Sequence, residues 1–291
     1  MPDLHAPHIH RLHLADLGIT TRVIDAGSGP PVLMLHGNPD NADEWRPLIA
    51  RIAGRYRCIA PDFPGFGLSP EPPSSFGYTL QEQVRFVDAV LAALNIDEPV
   101  ILVVHDTGGM SGTSWAAANT RRVRGIVFTN TAVFEHFEWF PIAHRWANPS
   151  LVMHLRNKLL MSALGWNGGA LFRRIFGATA PQLDSTQLER FVESFALNRG
   201  AKNTTLRQFR QMVPHRFFDG FEAMRLRLVD SVPCRVLWGD SDPFIPVRYA
   251  QRFGRSPVKI LPHVGHWVPI VAADELAAEV GALGLSPPAP A

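Results

Sequence analysis

The chain has 291 residues, of which 46% are hydrophobic, enough to bury one sizeable core and typical of a single α/β domain carrying an insertion. It contains 28 Lys and Arg against 26 Asp and Glu, a formal net charge of +2, and the basic residues are scattered. This balance argues against a nucleic-acid partner or a membrane partner. Cys58 and Cys234 lie in or beside apolar runs, as expected of reduced core residues rather than a disulfide framework.

Residues 1–14 do not combine a charged region with an apolar stretch, and no apolar run of the chain is long enough to span a bilayer. We therefore expect a cytoplasmic protein, monomeric or homodimeric. The same residues hold histidines without carboxylates or cysteines at metal-binding spacing, so we expect solvated side chains and no metal site. These histidines are His5, His8, His10 and His13.

Short apolar or β-branched runs alternate with helical patterns, which predicts a mostly parallel sheet flanked by helices. Eight strands are predicted, in chain order at residues 11–14, 21–27, 31–37, 56–62, 100–106, 124–130, 234–240 and 258–263. Helices are predicted near residues 41–53, 79–95, 107–120 and 268–284, the second opened by a capping box of Thr79 and Glu82. The Pro-rich residues 286–291 are predicted to be disordered.

A stretch of about 100 residues separates the sixth predicted strand from the seventh, too long for a structureless loop in a compact domain. Its pattern is mostly helical and rich in Phe and Trp. We predict a helical cap over the carboxyl edge of the sheet, enclosing a pocket. The expected division is a core at 1–132, a cap at 133–225, the rest of the core at 226–285, and the tail.

The run VILVVHD ends at Asp106 and is followed by Thr107, Gly108 and Gly109. A strand, a tight turn and a helix in this order are typical of a nucleophile elbow. At the end of another strand, the N–H of Asn38 can converge with that of Thr107 as an oxyanion hole. We therefore expect Asp106 to be a nucleophile; the alternative is a helix N-cap on an inert fold member.

A carboxylate and a histidine follow the nucleophile in the order of an α/β hydrolase. On four motifs, the sequence resembles the α/β-hydrolase superfamily over nearly its whole length, and within it the aspartate-nucleophile branch of haloalkane dehalogenases and, more distantly, epoxide hydrolases. The resemblance implies Asp242 as the acid, rather than Asp240, and His266 rather than His263 as the base. The motifs are HGNP at 36–39, DFPGFGLS at 62–69, VVHDTGG at 103–109, and WGDSDPFIP at 238–246 together with GHW at 265–267.

This resemblance implies a covalent mechanism without a cofactor or metal. The carboxylate of Asp106 displaces a leaving group from a saturated carbon and becomes an alkyl ester. Water activated by His266 then attacks the ester, the N–H groups of Asn38 and Thr107 stabilise the oxyanion, and Asp242 orients the imidazole. The expected partner is a small apolar molecule.

Haloalkane dehalogenase-like action is the preferred interpretation, although dehalogenases have a tryptophan where this chain has Thr107. The Asn38 side chain and Asn130 resemble dehalogenase positions, so both are assigned to the substrate or leaving-group pocket. Trp139 or Trp146 of the cap is expected to supply the missing contact.

Three alternatives stay open. Epoxide hydrolases protonate the leaving oxygen with cap tyrosines, whereas the tyrosines here lie outside the predicted cap, so a cap histidine would have to act instead. Opening of a strained lactone would make the missing tryptophan less important. The third alternative is a non-catalytic member of the fold that only binds a ligand. The tyrosines are Tyr56, Tyr78 and Tyr249, and the cap histidines are His136, His144 and His154.

Overall fold

One eight-stranded sheet crosses the molecule in the order β1-β2-β4-β3-β5-β6-β7-β8. The structure, a computed structural model, describes residues 7–284, apart from the side chains of residues 215 and 216. His5 and the predicted tail at 286–291 therefore lie outside the described residues. The strands are β1 His8–Leu14, β2 Ile19–Ala26, β3 Pro31–Leu35, β4 Arg57–Pro61, β5 Val100–Asp106, β6 Val123–Thr131, β7 Cys234–Gly239 and β8 Val258–Leu261.

The prediction of a mostly parallel sheet is confirmed. Strands β3 to β8 run parallel to one another, while β2 pairs antiparallel with both β1 and β4. Strand β1 begins three residues earlier than predicted because His8 already pairs with Asp25. The polar, half-exposed start of this edge strand hides the pairing from a hydrophobicity pattern.

Alternate side chains of the central strands enter different apolar clusters on the two faces of the sheet. In β3, Leu33 and Leu35 belong to the larger cluster, whereas Val32 and Met34 belong to the other. Such alternation follows from the two-residue repeat of a strand. Helices must therefore cover both faces, and β3 is apolar along its whole length while β5 is apolar up to His105.

The first half of the chain supplies helices α1 Arg46–Ile52, α2 Leu80–Ala93 and α3 Gly108–Ala118. Helix α2 opens with the predicted capping box: Thr79 Oγ1 accepts from the N–H of Glu82 at 3.2 Å, and the Glu82 carboxylate accepts from the N–H of Thr79 at 2.9 Å. Helices α2 and α3 pack together on the face of the larger cluster.

Between β6 and β7 the chain forms a series of helices, as the pattern predicts. They are α4 Pro141–Ala147, α5 Leu151–Leu164, α6 Ala170–Thr179, α7 Ser185–Phe191, α8 Arg199–Met212 and α9 Phe221–Ser231. The predicted boundary at residue 225 falls inside α9, which packs against α3. The division into core and cap at that residue stays a prediction.

The C-terminal part of the described chain forms α10 Val268–Val271 and α11 Ala273–Gly284 instead of one predicted helix, because Ala272 leaves helical geometry at φ −131° and ψ 42°. Helices α1 and α11 pack on the second face of the sheet. Cys58 and Cys234 are both buried free thiols. Within residues 7–284, no helix is long and apolar enough to cross a membrane.

Candidate active site

Several parallel strands end at one edge of the sheet, and the predicted site residues follow those ends. In open α/β sheets this edge is where ligands bind. Asn38 comes shortly after β3, Asp106 ends β5, Asn130 lies near the end of β6, Asp242 follows β7 and His266 follows β8. Residues far apart in the chain therefore meet here.

Asp106 occupies a strained turn between β5 and α3, with a positive φ of 48°. A non-glycine residue held in this region is a local cost that the surrounding structure must impose. Close packing imposes it: a Cβ on Gly108 would lie 2.2 Å from the carbonyl oxygen of Leu35, and one on Gly37 would lie 2.2 Å from Asp106 Cβ. The arrangement is that of the expected elbow.

The two carboxylate oxygens of Asp106 have different partners. Oδ1 accepts a hydrogen bond from the backbone N–H of Asn38 at 2.8 Å, and Oδ2 lies 3.7 Å from His266 Nε2. The N-cap residue of α3 is Thr107 rather than Asp106. The carboxylate thus does not cap helix α3, and the nucleophile role of Asp106 stays a prediction.

Thr107 is buried and does not belong to the cavity wall described below. As the N-cap residue, it carries one of the amide N–H groups that a helix leaves without a partner inside the helix. Its role as the second oxyanion donor remains a prediction.

His266 is oriented by Asp242, whose Oδ2 accepts from His266 Nδ1 at 2.7 Å. Oδ1 of Asp242 accepts from the N–H groups of Phe244 at 2.7 Å and Ile245 at 2.9 Å. Burial alone would raise the pKa of Asp242, but His266 and these hydrogen bonds hold the pKa below its ordinary value. An ionised Asp242 leaves Nε2 of His266 free to accept a proton from water.

Asp240 and His263, the other candidates for the acid and the base, do not line the cavity. Asp240 is exposed and accepts a hydrogen bond from the backbone N–H of His263 at 2.8 Å. The structure therefore brings together the pair implied by the resemblance.

Asn130 does not line the cavity, contrary to its expected place in the pocket. It is fully buried behind Asp242, donating from Nδ2 to Asp242 Oδ2 at 2.7 Å and accepting the N–H of Gly239 at 2.9 Å. Its position at the end of β6, beside β7, turns the side chain toward the acid rather than toward the substrate.

A buried pair behind the nucleophile escapes a motif search. His105 Nε2 lies 3.0 Å from the carbonyl oxygen of His266, so this nitrogen carries the proton, and Nδ1 faces Glu44 Oε2 at 3.2 Å. Burial lowers the pKa of His105, and burial together with the nearby Asp40 raises the pKa of Glu44 well above its usual value. A protonated Glu44 that donates from Oε2 to a neutral His105 gives both ring nitrogens of His105 a partner.

A buried ion pair connects α7 to the HGNP turn. Arg190 contacts both carboxylate oxygens of Asp40, with Nη2 at 2.9 Å from Oδ2. The Asp40 side chain is completely buried, and the N–H of Asn41 also donates to it at 2.8 Å. Position 190 is far from position 40 in the chain, and only the fold reveals the pair.

A cavity of about 230 Å³ opens above Asp106 and His266. An engineered cavity of about 150 Å³ binds benzene, so the site accepts a molecule of modest size. Asn38, Trp139 and Trp146 line it as predicted, and its wall is otherwise largely aromatic, including Phe140, Phe172, Phe209 and Phe244. Such a wall favours apolar substrates.

The Asn38 amide is occupied by cap residues. Nδ2 donates to Thr205 Oγ1 at 2.9 Å and to Gln208 Oε1 at 3.2 Å, both on α8. An amide has two N–H hydrogens, so both are committed. In the described part of the chain, by contrast, neither the Trp139 nor the Trp146 indole N–H has a hydrogen-bond acceptor.

The residues considered as acids for epoxide opening lie away from the cavity wall. Tyr78 donates to the carbonyl of Pro64 at 3.1 Å, and the hydroxyl of Tyr249 accepts the N–H of Glu138 at 3.0 Å. None of Tyr56, Tyr78, Tyr249, His136, His144 and His154 lines the cavity.

The chain matches the family model described as alpha/beta hydrolase fold over residues 30–273. The chain belongs to the α/β-hydrolase family. A cis-3-alkyl-4-alkyloxetan-2-one decarboxylase of Shewanella oneidensis is 29% identical over 279 residues, 91% of this chain and 85% of that protein. Haloalkane dehalogenase 2 of Mycobacterium tuberculosis is 36% identical over 139 residues, 48% of this chain and 44% of that protein.

Solved structures also resemble this α/β hydrolase. One, titled as novel epoxide hydrolases from metagenomes of hot environments, has a TM-score of 0.75 at 21% identity, covering 96% of this chain and 99% of that one. An alpha/beta hydrolase fold protein from Burkholderia ambifaria has a TM-score of 0.75 at 23% identity, covering 94% and 99%. At these identities the likeness establishes the fold alone.

Proposed function

We propose that this α/β hydrolase uses Asp106 to form a covalent ester with a small apolar substrate and His266 to activate the water that releases it. The division of labour between the Asp106 oxygens carries the proposal. Oδ2, near His266 Nε2, is the attacking oxygen. Oδ1, held by the Asn38 N–H, becomes the ester carbonyl oxygen, with a donor in place for the negative charge that water attack creates.

The leaving group decides the substrate class. An epoxide would leave as an alkoxide, which needs a proton donor, and the tyrosines and cap histidines lie away from the cavity wall. A halide or a carboxylate leaves without being protonated. The choice is therefore between a haloalkane and a strained lactone, whose ring opening at the saturated carbon releases a carboxylate that stays attached to the substrate.

We favour the lactone, whereas the sequence alone favoured a haloalkane with the lactone as an alternative. The hydrogens of the Asn38 amide are committed to Thr205 and Gln208, and Thr107 does not line the cavity, so neither Asn38 nor position 107 offers a donor to a halide. A tethered carboxylate makes less demand on such donors. The relative that matches most of this chain acts, by its name, on oxetan-2-ones, which are β-lactones.

A haloalkane is the second candidate because Trp139 and Trp146 line the cavity. Their indole N–H groups can donate to a halide, as the tryptophan after the nucleophile does in the resembling family. In that case a cap tryptophan takes over the role of position 107.

Intact-mass analysis of His266→Gln tests the mechanism and separates the two substrates. The variant should form the ester but not hydrolyse it. A β-lactone adds its whole mass because ring opening expels nothing, whereas a haloalkane adds its alkyl group and releases halide. His266→Gln/Asp106→Ala is the control and should stay unmodified. An adduct on that control, or no adduct with any substrate that the unaltered enzyme consumes, refutes the ester mechanism.

A further inference from the structure

Helix α5 exposes an apolar face to solvent. Leu151, Val152 and Leu159 have exposed fractions of 71%, 73% and 72%, Leu155 is also exposed, and Trp166 in the following turn reaches 82%. Residues at these spacings lie along one side of a helix. The opposite side is buried on neighbouring helices of the insertion through Asn157 and Met161. Contiguous exposed apolar surface of this kind marks an interaction site.

The same segment is strongly basic. Residues 139–183 contain no Asp or Glu, and their Lys and Arg residues are Arg145, Arg156, Lys158, Arg173 and Arg174. Arg173 pairs with Glu189, while the other four are exposed and form no salt bridge within the described chain. The whole chain has 28 basic and 26 acidic residues, so without this segment acidic residues are in excess. The near-neutral charge of the whole chain, from which we expected no membrane partner, hides this difference between the basic segment and the rest of the chain.

We propose that α5 and the turn at Trp166 dock this α/β hydrolase on an anionic lipid surface. Exposed leucines, a valine and a tryptophan flanked by Arg156 and Lys158 have the chemistry of a helix that lies in the bilayer interface. The aliphatic side chains insert among the acyl chains, and the cations pair with lipid phosphates. The helix does not span the bilayer; it lies along it.

A second copy of the chain is a poorer occupant. A two-fold dimer places the same patch against itself, which would bring Arg156 and Lys158 of both copies together. Like charges in such an interface repel. A nucleic acid would match the charge but not the aliphatic side chains, because its phosphates and bases are bound by donors and aromatic platforms.

The helix that carries the docking surface also contributes to the wall of the active-site cavity. Ile142 of α4, Leu164 at the end of α5 and Ile175 of α6 line the cavity, and Ile142 and Ile175 are also partly exposed. Helix α5 thus joins the helices that form the outer cavity wall. An apolar substrate dissolved in the bilayer would enter without crossing water, which deepens the preference for apolar substrates but does not depend on the ester mechanism.

Vesicle flotation of the full chain tests the proposal. Vesicles of phosphatidylcholine with and without phosphatidylglycerol are the probes, at low and high salt. We expect binding to the anionic vesicles, weakened by salt. Each basic residue near an anionic surface contributes about five-fold to partitioning, so Arg156→Glu/Lys158→Glu should weaken binding by at least about 25-fold. Leu151→Ser/Leu155→Ser/Leu159→Ser should abolish the salt-resistant part.

The matched controls alter the same properties elsewhere. Arg11→Glu/Lys259→Glu changes the net charge equally at exposed positions of β1 and β8, and Leu68→Ser removes an exposed leucine outside the segment. Both should bind vesicles like the unaltered protein. Absence of vesicle binding, or equal losses in the control and α5 charge variants, overturns the proposal. The proposal is also overturned if the unaltered chain does not bind vesicles but forms a dimer, and the leucine variant loses that dimer.

Discussion

Replacing Arg190 by leucine should strongly destabilise the fold, because the Asp40 side chain that it neutralises is fully buried. The remaining hydrogen bond that Asp40 receives, from the N–H of Asn41, does not neutralise its charge. Removing one partner of a buried ion pair costs about 3–5 kcal/mol. For a chain of this size each kcal/mol lowers Tm by about 2–4 °C, so the expected decrease is about 10 °C.

A double-mutant cycle measured by urea unfolding separates the pair from its surroundings. Asp40→Asn alone leaves Arg190, whose side chain is 23% exposed, within reach of water, and should cost less than Arg190→Leu. The double variant Asp40→Asn/Arg190→Leu leaves no unpaired charge, so it should be more stable than the sum of the single changes implies. Arg173→Leu, which breaks an exposed pair with Glu189 on neighbouring helices, should change stability much less.

Two results would refute this reasoning. A loss below about 1 kcal/mol for Arg190→Leu would mean that the pair behaves like a surface salt bridge. Additive losses in the cycle would mean that Arg190 acts through packing, since it also lies 4.4 Å over the ring of Phe191, and not through Asp40.

Glu44→Gln should preserve stability and kcat at neutral pH because an amide can replace the protonated carboxyl as donor to His105, whereas Glu44→Leu should lose about 1–3 kcal/mol by leaving that nitrogen unpaired. Urea unfolding of both variants checks this, and equal losses would contradict a donor role. Stability should also fall as pH drops below about 6.5, the usual histidine pKa, because the lowered pKa values of His36 and His105 favour neutral folded forms. The lowered pKa of Asp242 adds a loss beginning below about 4. Unfolding free energies that stay constant from pH 8 to 4 would contradict the neutral folded forms of His36 and His105, and constancy below about 4 would contradict the ionised Asp242.

The sheet was predictable because each buried strand is a short apolar run, and parallel strands covered on both faces leave that mark. The placement of Asp106, Asp242 and His266 was predictable for a related reason. Each follows a strand end, and parallel strands end at one edge. Chain order and strand position thus suffice to bring these residues together.

Side-chain direction was not predictable in this way. Asn130 and Asn38 both follow strands, yet Asn130 turns behind Asp242 and the Asn38 amide turns toward Thr205 and Gln208 on α8. These partners are more than 100 residues away along the chain. No local pattern carries such a contact, so the expectation for Asn130 was wrong, and the Asn38 amide is not free as a leaving-group donor.

Some helices between β6 and β7 contact the turn beside the nucleophile, and others do not. Helices α7 and α8 reach the HGNP turn through Arg190, Thr205 and Gln208, so changes there should alter stability and chemistry together. Helix α5 packs on other helices of the insertion and presents its apolar face outward. Substitutions on that face can therefore change where the enzyme finds its substrate without moving Asn38 or Asp106. The two proposals are consequently separable: ester formation in detergent-free solution measures the chemistry, and its acceleration by anionic vesicles carrying the substrate measures the surface.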